Sequence, residues 1–221
     1  MSSSRTEEAG RKSVDELWLG VLEQISARAA HEIKGALNGV SVNLEVVRSR
    51  AAKPDAPAHA VASFASSAAD QLELVVSMAE ALLALSRAPR EPVDVVETVV
   101  RLVALLAPAA RAEGGSLRIE HQSSEVAVGG IRAPGNVVRL VVGASLLAAI
   151  ARKGDIRCRV DADDDMSVSI TCADAEGPLA VAPEIVAATA DAGVRILVEG
   201  QNISLAFPRA GASRRRTPER A

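Results

Sequence analysis

The stretch from Val14 to Arg50, VDELWLGVLEQISARAAHEIKGALNGVSVNLEVVRSR, decides the architecture of this 221-residue chain. Leu22, Ile25, Ala29, Ile33, Leu37, Val40, Leu44 and Val47 recur in it at steps of three and four. At about 100° per residue these positions form one apolar stripe, roughly 120° wide, which predicts a long amphipathic helix. A helix of this length belongs in a bundle or coiled coil rather than alone on a surface. The following AAKPDAPA, Ala51 to Ala58, carries two prolines and reads as a loop. A second stripe comes next, in Val61, Phe64, Ala68, Leu72, Val75, Ala79, Leu82 and Leu83. The two segments together predict an antiparallel helical hairpin. One stripe on each helix covers the pair only partly. A second hairpin completing a four-helix bundle would bury the remainder, so a two-fold homodimer is expected.

Working outward, the pattern changes at Pro89 and Pro92, a short linker and a domain boundary. Beyond it, helix and strand patterns alternate. Val95 to Arg111 reads as a helix, Ser116 to His121 as a strand, Glu125 to Val128 as a further short strand, and Asn136 to Arg152 as a strongly apolar helix. Asp155 to Asp161 and Met166 to Cys172 form a strand pair around the acidic turn Ala162 to Asp165. Pro183 to Asp191 reads as a short helix, and Val194 to Glu199 with Asn202 to Phe207 as a hairpin across Gly200-Gln201. The expected fold class is α+β: the hairpin, then an α/β sandwich with a mixed sheet and helices on one face. The organisation that follows is 1–13 disordered, 14–88 hairpin, 92–208 α/β domain, and 209–221 a disordered basic tail containing Arg214, Arg215 and Arg216.

Composition narrows the function. Hydrophobic residues make up 48% and charged residues 24%, which suits a soluble globular protein. A net charge of -3 gives no global attraction to nucleic acid or anionic membrane. Aromatic residues are 1% of the chain, too few for base-stacking or sugar-stacking surfaces. Cys158 and Cys172 lack metal-type spacing and read as two buried thiols. No apolar run reaches the ~18 residues of a membrane span. No signal peptide opens the chain, and a cytoplasmic location is the expectation.

Of the three histidines, His59 falls in the hairpin loop region and His121 at a strand end, where solvated side chains are expected. His31 differs. It lies about 180° from the centre of the apolar stripe, so it should project to solvent midway along a rigid helix. Gln24, Ala27, Arg28, Lys34, Gly35, Asn38, Val42 and Glu45 share its face. Small side chains there would let a partner approach, and Arg28 or Lys34 could stabilise phosphate charge.

The segment Ala30-His31-Glu32-Ile33-Lys34-Gly35-Ala36-Leu37-Asn38-Gly39-Val40 resembles the phosphoacceptor box of histidine kinases, HEI(K/R)NPLNGI. Gly35 stands where that box has Asn, and Ala36 where it has Pro. In that family the box lies on the first helix of a dimerising hairpin, and an ATP-binding α/β domain follows. Pro92 to Glu97, the helix to Gly114 and the strand Leu117 to His121 look like the start of such a domain. The departures are equally specific. Ala144 and Ala148 occupy the places of the two asparagines that help hold Mg²⁺-ATP. The Asp-x-Gly-x-Gly box is reduced to Ala173-Asp174-Ala175-Glu176-Gly177-Pro178-Leu179. Ala180 to Pro183 leads straight into the next helix where the family has a lid, and no Gly-rich phosphate cradle exists.

A retained acceptor histidine beside a degenerate nucleotide site resembles the dimeric histidine phosphotransferases of phosphorelays. The resemblance implies that a ring nitrogen of His31 takes a phosphoryl group from a receiver aspartate and passes it to another response regulator. Neutral imidazole suits that role, and transfer of this kind depends on positioning and charge stabilisation. Glu32 would orient the ring or accept a proton. Arg28, Lys34, Gly35, Asn38 and Val42 would meet the partner. No cofactor is expected, and Mg²⁺ would arrive with the receiver. Without a polar side chain at Gly35 to orient water, little phosphatase activity is expected. Two alternatives stand beside this reading: a dimeric pseudo-kinase that docks or sequesters a response regulator, and an atypical sensor kinase. The last is disfavoured by the missing lid and by the expected lack of a sensor region before Val14.

Overall fold

The structure, a computed structural model, describes residues 12–53, 57, 59–87, 93–120, 131, 133–162 and 166–208. The termini, most of the hairpin loop, the Pro89–Pro92 linker, His121, the 125–128 strand and Asp163 to Asp165 lie outside the described residues.

The opening helix, α1, runs from Val14 to Ala51. Ser13 starts it with a capping box. Its hydroxyl accepts the Glu16 N–H at 3.2 Å, and the Glu16 carboxylate accepts the Ser13 N–H at 2.7 Å. The bond from the Ser13 backbone holds the Glu16 carboxyl below its ordinary pKa. The second helix, α2, spans His59–Ser86. His59 is therefore an exposed first helical residue rather than part of the loop.

The expected stripe on α2 is corrected in phase. Ala68, Met78, Ala81 and Leu85 are the buried residues, whereas Leu72 and Leu83 are exposed. Alanine and valine are spread widely around this helix, so local periodicity left more than one face able to turn inward.

The remaining elements build the sheet and its cover. Helix α3, Val95–Ala112, is capped by Asp94, whose carboxylate accepts the Glu97 N–H at 3.1 Å. Helix α4, Gly135–Ile150, is buried except at Asn136 and Ala148, as its all-round apolar composition requires. A short helix, α5, spans Pro183–Ala190.

The strands are β1 (Ser116–Ile119), β2 (Asp155–Ala162), β3 (Met166–Ala173), β4 (Arg195–Glu199) and β5 (Asn202–Phe207). Their order is β1-β2-β3-β5-β4, with β1 parallel to β2 and every other pair antiparallel. The α4 crossover supplies the connection that a parallel pair needs. Period-two alternation sends Ile156, Cys158, Val160, Val168, Ile170 and Cys172 into the core. Both thiols are thus buried as expected, and burial pushes the Cys158 thiol up to about 12. The opposite face is polar: Glu120, Arg157, Arg159, Ser169, Thr171 and Asn202 line a shallow depression on it.

One hydrophobic core runs from Leu17 on α1 to Phe207 on β5, so hairpin and sheet share their packing. The seam between them includes close packing at Gly143 and polar contacts from Asn136 and Arg139. A Cβ built on Gly143 of α4 would lie 3.0 Å from Val21 Cγ1 and 3.5 Å from the Trp18 ring. Asn136 Nδ2 donates to Asp15 Oδ1 at 2.6 Å. Arg139, 5% exposed, donates to the carbonyls of Ala84, Leu85 and Arg87. Those are the acceptors that the end of α2 leaves without partners in the helix, so Arg139 caps α2 from α4.

Candidate functional site

The site residues all lie on α1. Positions 24, 28, 31, 35, 38 and 42 step by four and three, which stacks them in one column. In the structure His31, Lys34, Gly35, Asn38 and Val42 are exposed, and Arg28 and Glu32 are half-buried. Toward the N-terminus the same column runs into the buried Leu17 and Val21, and it becomes solvent-exposed at His31. His31 stands two positions beyond Ala29, the last residue of α1 that is fully covered.

The side of α1 that meets α2 is marked by polar contacts. Asn43 Nδ2 donates to Gln71 Oε1 at 3.3 Å. A Cβ on Gly39 would lie 2.4 Å from Gln71 Nε2, so Gly39 makes room for that side chain. Gly35 is the contrast, since a Cβ there would meet nothing within 4 Å. Glycine inside a helix costs about 1 kcal/mol relative to alanine. At Gly39 close packing explains it; at Gly35 no contact among the described residues does.

Around the histidine the side chains are not yet assembled into a network. Arg28 Nη1 donates to the Gln24 carbonyl at 3.3 Å, back along its own helix. Among the described residues, no side-chain hydrogen bond or ion pair engages His31, Glu32 or Lys34. Nor, among those residues, is there a group of three or more His, Cys, Asp or Glu side chains placed to hold a metal ion.

The positions compared with a nucleotide site lie in α4 and in the turn after β3. Ala144 is buried, and its neighbour Gly143 sits beneath Val21, Ile25 and Trp18 of α1. Asp174 is exposed in a left-handed turn, at φ 58°. The segment after it is tied down by backbone bonds. Glu176 N–H donates to the Arg152 carbonyl at 3.0 Å, and Leu179 N–H to the Gly200 carbonyl at 2.9 Å. Arg152 Nη1 returns a bond to the Glu176 carbonyl at 3.3 Å.

Sequence reasoning missed the Trp18–Gly143 contact, the Arg139 cap and the Gln71 buttress. Gln71 and Asn43 left a faint signal as amide side chains within two apolar helices. The other two contacts join residues more than 50 positions apart, beyond the reach of periodicity.

No protein-family model matches the sequence, and a search of curated proteins finds no match. Solved structures do resemble it in fold at low identity. Full-length ShkA in complex with AMPPNP is 19% identical, with a TM-score of 0.42, over 86% of this chain and 46% of that one. The histidine kinase AdeS of Acinetobacter baumannii is 14% identical, with a TM-score of 0.40, over 83% of this chain and 98% of that one. The histidine kinase ThkA, solved with the response regulator protein TrrA, is 14% identical, with a TM-score of 0.38, over 86% and 61%. The chain matches about half the length of ShkA.

Proposed function

We propose that the chain is a phosphohistidine carrier of two-component signalling, accepting a phosphoryl group on His31 from one receiver domain and handing it to another. The observation that carries this reading is the exposed column on α1, where His31 is followed one turn later by a Gly35 that no contact among the described residues requires. A glycine there lets a partner's backbone come within reach of the imidazole.

In the forward step a neutral ring nitrogen of His31 attacks the phosphorus of an aspartyl phosphate. The N–P bond forms as the O–P bond breaks, and the aspartate leaves as a carboxylate. The proton on the other ring nitrogen can be held by Glu32, one residue along the chain. Lys34, and Arg28 once it leaves the Gln24 carbonyl, supply positive charge to the transferring group. The return step to a second receiver is the reverse. Mg²⁺ belongs to the receiver in this scheme, and ATP takes no part. The apolar packing around Gly143, beside Ala144, supports the latter point.

Dimerisation belongs to the same proposal. Leu37 and Leu44 on α1, with Leu72, Val76 and Leu83 on α2, are exposed and furnish apolar surface for a second hairpin. Ala69, Leu72 and Val76 line a shallow groove there, flanked by Glu73 and Glu80.

The deciding experiment is transfer from labelled, phosphorylated receiver domains to the purified chain, beside a His31→Ala control. Acid-labile label on the wild type and none on the variant is expected. Equal labelling of both would remove His31 from the mechanism. Receiver binding with no label would favour the docking module, a reading to which the unengaged His31–Glu32 pair lends some support.

A further inference from the structure

Among the described residues, strand β4 lies at one edge of the sheet and pairs only with β5. Its sequence, Arg195-Ile196-Leu197-Val198-Glu199, is apolar in the middle and oppositely charged at its ends. Leu197 is 54% exposed and Val198 37%. Open apolar edges of this kind are templates for pairing with another strand.

The ladder shows which backbone groups are available. Cys172 N–H donates to the Gln201 carbonyl, so odd-numbered residues of β5 bond toward β3. Even-numbered residues of β5 then bond toward β4, opposite Arg195, Leu197 and Glu199. That alternation leaves the N–H and C=O groups of Ile196 and Val198 directed away from the sheet. Side chains sort the same way. Ile196 and Val198 lie opposite Leu205 and Ile203 on the helix-covered face, and Arg195, Leu197 and Glu199 lie on the other.

We propose that the edge of β4 is a homotypic docking site, where two copies of the chain pair antiparallel about Leu197. The strand is complementary to itself in that register. Leu197 meets the partner's Leu197 in a non-hydrogen-bonded pair. Ile196 meets the partner's Val198, and their outward N–H and C=O groups bond reciprocally. Arg195 faces the partner's Glu199 at each end, on the same side of the sheet. Displacing the register by one residue would put Leu197 opposite a side chain of the other face and part the two charge pairs. The contact joins two five-stranded sheets into one of ten. It is separate from the α1–α2 surface and does not depend on the phosphotransfer reading.

Disulfide trapping of the full chain tests this. Opposed residues of a non-hydrogen-bonded pair lie about 4.5 Å apart at Cα, within disulfide reach. The native thiols are buried and stay silent. Leu197→Cys should cross-link under mild oxidation well above an Ala151→Cys control on another surface. Adding Arg195→Glu should reduce the cross-link to the control level, and adding Glu199→Arg to that variant should restore it. Val198→Pro, which removes an outward N–H and leaves the β5 ladder intact, should also abolish it, with an unchanged circular dichroism spectrum. Cross-linking at the control level, or cross-linking indifferent to Arg195→Glu, overturns the proposal and leaves the edge to water or to another protein's strand.

Discussion

The two halves of α1 carry the same apolar stripe and meet different fates. From Leu17 to Ala29 the stripe is covered by α4 and its neighbours, and Ile25 and Ala29 are fully buried. From Ile33 to Val47 none of its residues is fully buried, and Leu37 and Leu44 are 44% and 53% exposed. Periodicity states how wide an apolar face is but not what covers it. In the first half the cover is the chain's own α/β part; in the second the face stays partly exposed among the described residues.

The comparison can be broken most forcefully at Ile25. Ile25→Ala should cost about 3 kcal/mol of unfolding free energy in urea titration, because transfer and cavity terms add at a fully buried site. A loss under about 1 kcal/mol would mean that the first half of α1 is not held as described. Gly143→Val tests the same seam from α4. A Cβ there already lies 3.0 Å from Val21, so overpacking should cost about 2 kcal/mol. A neutral effect would show that the helices can part cheaply. The smallest effect belongs to the second half. Leu44→Lys should change unfolding free energy by less than about 0.5 kcal/mol, as expected at an exposed position. If a second hairpin covers this half, light scattering should show the same variant shifted toward monomer. A large loss of stability in a monomeric chain would place Leu44 in the internal core instead.

Much of this was legible beforehand. The exposure of His31 followed from its angle to the stripe, and the residues that share its column are arranged as the wheel implied. The strands from Asp155 onward agree within one residue at each end, because β-branched alternation and the Gly200-Gln201 turn mark them sharply. The phase of α2 was misread at Leu72 and Leu83, where apolar residues on two faces made one stripe as plausible as another. The cover over Trp18, Val21 and Ile25 was invisible, because Gly143 tells the reader nothing of what lies against it. Periodicity assigns no task to Arg139, a cation in an apolar helix. Its task, holding the end of α2, exists only once the chain has folded.

The position of His31 also has a mechanical side. The hairpin resembles a beam gripped at one end: full burial of α1 runs as far as Ala29, and Arg139 holds the last turn of α2. The rest of the pair projects from that grip. A load placed on a cantilever bends it hardest at the lip of its support. His31, two residues past Ala29, sits at that lip, so a force applied toward the far turn of the hairpin would be felt most strongly where the imidazole stands.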